Sequence, residues 1–150
     1  MPPKRLLFVC TGNICRSPMA EQLARKIASD LGLDVEIRSC GTSPALGSGV
    51  TPEAQRALIA MGMPPQEHAP QAASRELLAW ADAVLVMTKA HRDRLFSTFP
   101  ETAGRVFVLR EYAGLSGDVD DPYGGSQEDY DRSLASIKEA LDRIFKKPSH

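Results

Sequence analysis

The chain has 150 residues, 43% of them hydrophobic and 25% charged, with a formal net charge of −1. That balance predicts one soluble globular domain over 1–150, with a sizeable core and no room for a second domain. A near-neutral chain has no overall field to draw it to nucleic acid or an anionic membrane, so neither partner is expected, and any attraction for anions must be local.

The N-terminal Met-Pro-Pro-Lys-Arg leads into an apolar run too short for a secretion signal, and no stretch approaches the length of a membrane span. Three cysteines make no disulfide scaffold and fit a reducing compartment, which points to the cytoplasm. Residues 5–9 read as a buried strand. Ser17 is a preferred N-cap residue and Pro18 suits the first helical position. Met19, Leu23 and Ile27 then recur on one face of a helix to about Leu31, stopped by Gly32.

Residues 35–40 alternate as a second strand, and 41–49 form a Gly/Ser/Pro-rich surface loop near the mouth of a site. Within it, Gly47-Ser48-Gly49 lacks the third glycine and the preceding strand of a dinucleotide fingerprint. Thr51-Pro52 repeats the N-cap and N1 signature for a helix stopped by Gly62 and Pro64, and Ser74 opens a short helix to Trp80. A strand over 82–87 follows, then a helix capped by Thr88 and running through His91, Leu95 and Phe99, then a last strand over 106–109. After a polar loop over 111–125, Ser126 begins a final helix with Tyr130, Leu134, Ile137, Leu141, Ile144 and Phe145 on one face, and residues 146–150 read as a frayed end. Alternating strands and helices predict an α/β fold: a three-layer open sheet of about four parallel strands with helices on both faces. The turn after strand one then lies at the carboxyl end of the sheet, where such folds bind ligands.

That turn is Cys10-Thr11-Gly12-Asn13-Ile14-Cys15-Arg16-Ser17. A tight loop between a strand and a helix points successive backbone N–H groups at one spot, and the helix dipole adds partial positive charge there. The result is an anion site. The same groups stabilise a thiolate at its mouth, which makes Cys10 a candidate nucleophile, and Arg16 adds a planar fork for two phosphoryl oxygens. Together they point to phosphoryl transfer to sulfur, against the plainer reading of Cys10 as an inert core cysteine. Asn13 suits a left-handed conformation in the loop. Transfer from an ester also needs a general acid, and Asp118, Asp120 and Asp121 share one Gly/Pro loop without spacing that chooses among them. His68, His91 and His150 are scattered without ligand spacing and read as surface or core residues. No metal or other cofactor is called for.

Cys-x5-Arg-Ser followed by Pro18-Met19-Ala20-Glu21 resembles the low-molecular-weight protein tyrosine phosphatase family, whose bacterial branch includes protein arginine phosphatases. The likeness runs from Leu6 to the last helix. It implies the family's fold and a two-step reaction on a phosphorylated protein or peptide, with inorganic phosphate and similar oxyanions as inhibitors. Catalytic roles then fall to Cys10, Arg16, Asp121 and Ser17, and phosphate binding to the backbone of Thr11, Gly12, Asn13, Ile14, Cys15 and Arg16. The family carries its acid in an Asp-Pro-aromatic motif, matched by Asp121-Pro122-Tyr123, and its aromatic lines the cleft, so Tyr123 is expected against a substrate ring. Some members carry a second tyrosine next, where Gly124 stands here, so no role carries over to that position.

Members with a second loop cysteine form a reversible disulfide that protects the nucleophile, which implies a Cys10–Cys15 redox pair. Arginine phosphatases carry threonine where Ile14 stands and tyrosine phosphatases an aliphatic residue, so Ile14 with Tyr123 implies a preference for phosphotyrosine. Three alternatives stay open. An arginine phosphatase fits much of the rest of the chain. A relay-type arsenate reductase needs further cysteines, and none follows Cys40. A non-catalytic phosphate-binding module would need neither Cys10 nor Asp121.

Overall fold

The computed structural model describes residues 3–65 and 67–146. Four strands, β1 (Arg5–Cys10), β2 (Glu36–Gly41), β3 (Ala83–Val86) and β4 (Val106–Val108), form one parallel sheet in the order β2-β1-β3-β4. Strand periodicity sorts the core into two layers. Leu6, Phe8 and Cys10 of β1 join Leu85 and Met87 on one face, under α1 (Arg16–Asp30), α2 (Pro52–Ala60) and α6 (Gln127–Lys146). Leu7, Val9, Val84 and Val86 face the other way, onto Leu78 of α3 (Arg75–Trp80) and Leu95 of α4 (Lys89–Thr98). Cys10 thus ends a central strand, buried on the side of α1 and α6. Strand order reverses at β1, with β2 on one side and β3 on the other, which opens the crevice at their carboxyl ends.

The expected α/β architecture is the one observed, with shifts at several ends. The first helix begins at Arg16, not at a Ser17 cap, and its flanking residue Cys15 makes no side-chain cap. Pro18 still falls in the first turn, where a missing N–H loses no intrahelical bond, but the Ser17 hydroxyl is drawn away to the site described below. Gly32 ends α1 with φ 68°, and the amides of Gly32 and Leu33 return to Ser29 and Ala28, a Schellman close. Thr51 flanks α2 without capping it through its side chain, whereas Ser74 and Thr88 accept from Leu77 and His91 as N-caps should.

The last strand stops at Val108, because Leu109 opens a single helical turn, α5 (Leu109–Tyr112), so the polar loop starts later than expected. Arg110 of that turn is held by Ser116 O and, from far along the chain, by the Ser136 hydroxyl and Glu139, contacts that an apolar run cannot announce. A 3₁₀ segment, Pro100–Arg105, was likewise not expected. Ser126 does cap the final helix, exchanging hydrogen bonds with Asp129 three residues on. Of the expected frayed tail, residues 147–150 lie outside those described.

Candidate active site

The loop from Cys10 to Arg16 has its carbonyls claimed from outside. Thr42, Ser43, Ala45 and Thr51 donate backbone N–H groups to the carbonyls of Cys10, Thr11, Gly12 and Ile14 at 2.9–3.0 Å. His68 Nε2 donates to Asn13 O at 2.9 Å, and Met19 N to Cys15 O at 3.0 Å. A trans peptide places each N–H opposite the preceding carbonyl, so this outer belt turns the N–H groups of residues 11–16 to the inner side, where α1 begins. That is the arrangement an anion cradle needs, and the glycine-rich segment 41–51 builds it as much as the loop does. Gly41 is where the two segments meet: a Cβ there would lie 2.3 Å from Thr11 O. No larger residue fits without moving the loop.

Asn13 is the one non-glycine with positive φ (58°) among the described residues, and four bonds hold it there. Its Nδ2 donates to the hydroxyls of Ser17 (2.8 Å) and Ser39 (2.9 Å), its Oδ1 accepts from Gln71 N (3.0 Å), and its carbonyl takes the His68 proton. This also fixes where hydroxyl protons go. Ser39 donates to buried Glu21 at 2.5 Å, and Ser17 Oγ, already accepting from Asn13, has Cys10 Sγ 2.9 Å away, with Cys40 O a longer alternative at 3.4 Å. With Asn13 Nδ2 donating to it, Ser17 Oγ is placed to donate its own proton to the Cys10 sulfur. Glu21 is in turn paired with Arg25 at 2.6 Å.

Arg16 is 4% exposed. Its Nη1 donates to Val119 O at 2.9 Å and its Nη2 lies 3.7 Å from Asp121 Oδ2, which brings the expected acid loop to the expected guanidinium. The three carboxylates of that loop now differ. Asp118 accepts from Lys89 N at the start of α4, Asp120 is exposed with its carbonyl taken by Ser133, and Asp121 faces Arg16. Asp121 Oδ1 also accepts from Tyr123 N at 3.1 Å, a turn that leaves the Tyr123 ring 66% exposed beside the site.

Ile14 is half-buried against the core, its Cγ1 3.4 Å from where a Gly12 Cβ would stand. Cys15 is buried, its sulfur 3.5 Å from the Tyr130 hydroxyl and 3.7 Å from Thr51 Oγ1. Burial pushes its thiol above the usual range, against the opposing pull of those hydroxyls. Cys10, Cys15 and Cys40 are all free thiols.

Two histidines are among the residues that escape sequence reasoning. His68 and His91, read there as surface or core side chains, both bond to the phosphate loop, His68 at Asn13 O and His91 at Thr11 Oγ1 (2.8 Å). No spacing signals them, since they reach the loop from 55 and 80 residues away.

Residues 5–148 match the family model for low molecular weight phosphotyrosine protein phosphatase. The chain is 40% identical to a protein-arginine-phosphatase from Bacillus subtilis over 94% of both chains. It is 36% identical to the low molecular weight protein-tyrosine-phosphatase PtpB from Staphylococcus haemolyticus, over 93% of this chain and 96% of that one. Among solved structures, a YwlE arginine phosphatase mutant with a phosphorylated active-site serine superposes with a TM-score of 0.91 at 39% identity, covering 95% of this chain and 94% of that one. With the cradle, the cysteine at its mouth and the arginine beside it in place, this chain belongs to the low molecular weight phosphotyrosine protein phosphatase family.

Proposed function

We propose that the protein hydrolyses phosphotyrosine in proteins or peptides through a phosphocysteine on Cys10. In the first step the thiolate attacks phosphorus in line, the P–S bond forms as the ester P–O bond breaks, and Asp121 protonates the departing phenolic oxygen. Arg16 and the N–H groups of Thr11 to Arg16 hold the equatorial oxygens. Water then attacks the phosphocysteine with Asp121 as base, and Ser17 receives the returning thiolate. Inorganic phosphate and like oxyanions occupy the same cradle and inhibit. The YwlE mutant phosphorylated on its active-site serine supports a covalent intermediate at this position of the fold.

Ile14 is the observation that carries the choice of substrate. An aliphatic side chain at this loop position, half-buried against the core, together with the exposed Tyr123 ring of the acid loop, would offer apolar walls suited to a phenyl ring. A guanidinium would leave donors unpaired there, a loss of about 1–3 kcal/mol for a buried polar group. The likeness to the B. subtilis arginine phosphatase favours a second reading, phosphoarginine hydrolysis. Matched phosphotyrosine and phosphoarginine peptides decide between them. Phosphotyrosine is the expected better substrate of the natural chain, and Ile14→Thr is expected to lower its hydrolysis and raise that of phosphoarginine. A natural chain that prefers phosphoarginine assigns it to the second reading.

Cys10 and Cys15 form the proposed redox pair. Mild peroxide takes the Cys10 thiolate to a sulfenic acid, Cys15 attacks that sulfur, and water leaves as the disulfide forms. Peptide mapping after brief oxidation should show a Cys10–Cys15 linkage that thiol reverses. Recovery of Cys10 sulfinic acid alone contradicts it.

A further inference from the structure

His91 has a place in the site that the reaction above does not use. It is 6% exposed, and both ring nitrogens are engaged: Nε2 with Thr11 Oγ1 at 2.8 Å and Nδ1 with Thr88 Oγ1 at 2.9 Å. Thr11, by contrast, is exposed at the rim of the phosphate loop. We propose that His91 is a positioning residue for this reaction. It fixes the Thr11 hydroxyl at the rim and couples the phosphate loop, through Thr88 and the first turn of α4, to the segment that carries Asp121. The inference rests on the phosphatase reading and adds to it a residue outside the family's loop motif.

The contacts run without a gap. Thr88, as N-cap of α4, accepts the His91 backbone N–H at 3.1 Å, so its own proton is free to donate to Nδ1. In the tautomer where Thr88 does so, the imidazole proton sits on Nε2 and goes to Thr11 Oγ1, which leaves the Thr11 hydroxyl proton for a bound anion or for solvent. On the far side, Lys89 N donates to Asp118 Oδ1 at 3.0 Å and Val119 N to Met87 O at 2.9 Å, while Val119 O takes Arg16 Nη1. Residues 87–91 thus touch Thr11 at one end and the acid loop at the other. The ring stays neutral near pH 7, since burial first and the Arg16 guanidinium second lower its pKa to about 4, against the pull of Asp121 and Asp118. A neutral ring is what this pattern of one donor and one acceptor needs. Burying it is tolerable only because both nitrogens are paired.

The test is steady-state hydrolysis of para-nitrophenyl phosphate by four variants, with thermal unfolding measured alongside. Thr11→Val keeps the backbone N–H and the side-chain shape but loses the hydroxyl, and kcat/KM is expected to fall about tenfold, the worth of one well-placed hydrogen bond, with little change in unfolding temperature. His91→Asn, whose amide cannot reach Thr11, should fall by a similar factor of about ten, whereas His91→Gln, whose longer amide can, should stay within about threefold of the natural chain. A residue that only fills space would treat the two amides alike.

The double variant Thr11→Val/His91→Asn should be no worse than the poorer single, because both remove one contact. Multiplying defects, or native kcat/KM in Thr11→Val, overturns the proposal, and Thr11→Val does so even where a His91 variant fails to fold. A natural chain inert toward the aryl phosphate overturns the phosphatase reading and this inference with it, an outcome the variants cannot mimic.

Discussion

Serine in place of Cys10 is expected to abolish turnover of phosphotyrosine peptides while inorganic phosphate still binds. Serine keeps the small side chain at the end of β1, and the carbonyls of the loop stay tied to residues 42–51, His68 and Met19, so the cradle of N–H groups persists. What is lost is turnover: a neutral hydroxyl is a far weaker nucleophile than a thiolate, no carboxylate or imidazole among the described residues is hydrogen-bonded at the Cys10 position, and a serine phosphate, as in the YwlE mutant, has a poorer leaving group than a phosphocysteine. Retention of substantial turnover contradicts the mechanism. Arg16→Lys is expected to be severely impaired for a different reason. One nitrogen of the guanidinium is already spent on Val119 O, and an ammonium cannot hold that carbonyl and a bidentate phosphoryl group together.

The second large effect is expected at Asp121. Asp121→Asn should slow hydrolysis of phosphotyrosine by roughly 10²- to 10⁴-fold, the usual worth of a general acid. The loss should shrink for aryl phosphates whose leaving group needs no proton, because the amide removes only the proton donor. Asp118→Asn tests the neighbouring assignment. Asp118 accepts from Lys89 N, so its amide should loosen the anchoring of the loop on α4 and cost far less activity, without the dependence on leaving group. A larger defect at Asp118 or Asp120, with that dependence, moves the acid to the other residue.

Much of this site is legible in the sequence because it is contiguous. Cys10, Arg16 and the loop between them sit at a strand end, a turn and a helix start that follow one another in the chain, and Asn13 takes its left-handed place by its own stereochemistry. The layers of the fold are equally readable, from the two-residue alternation of β1 and the apolar face of α6. Ser17 shows where local rules mislead. Its N-cap propensity is real, yet the amide of Asn13 and the sulfur of Cys10 compete for the hydroxyl and win, and the helix starts two residues earlier, at Arg16 with Cys15 before it.

What the sequence hides is the outer belt. Gly41, Ser39, Glu21, His68 and His91 support the loop from other elements, through contacts that exist only once the sheet has formed. The acid is a middle case. Its loop is apparent in sequence, and the resemblance to the phosphatase family names Asp121, but what sets the three carboxylates apart physically is the approach of Arg16 to one and of Lys89 N to another.

The central claim is that phosphate passes through the sulfur of Cys10, and trapping the intermediate tests it most directly. In Asp121→Asn, an aryl phosphate with a good leaving group should still load the enzyme, while hydrolysis, which needs Asp121 as base, is slowed. Rapid quenching during turnover, followed by peptide mass mapping, is predicted to find phosphate on Cys10. Phosphate on another residue, or turnover with no phosphoenzyme at any time, contradicts the account.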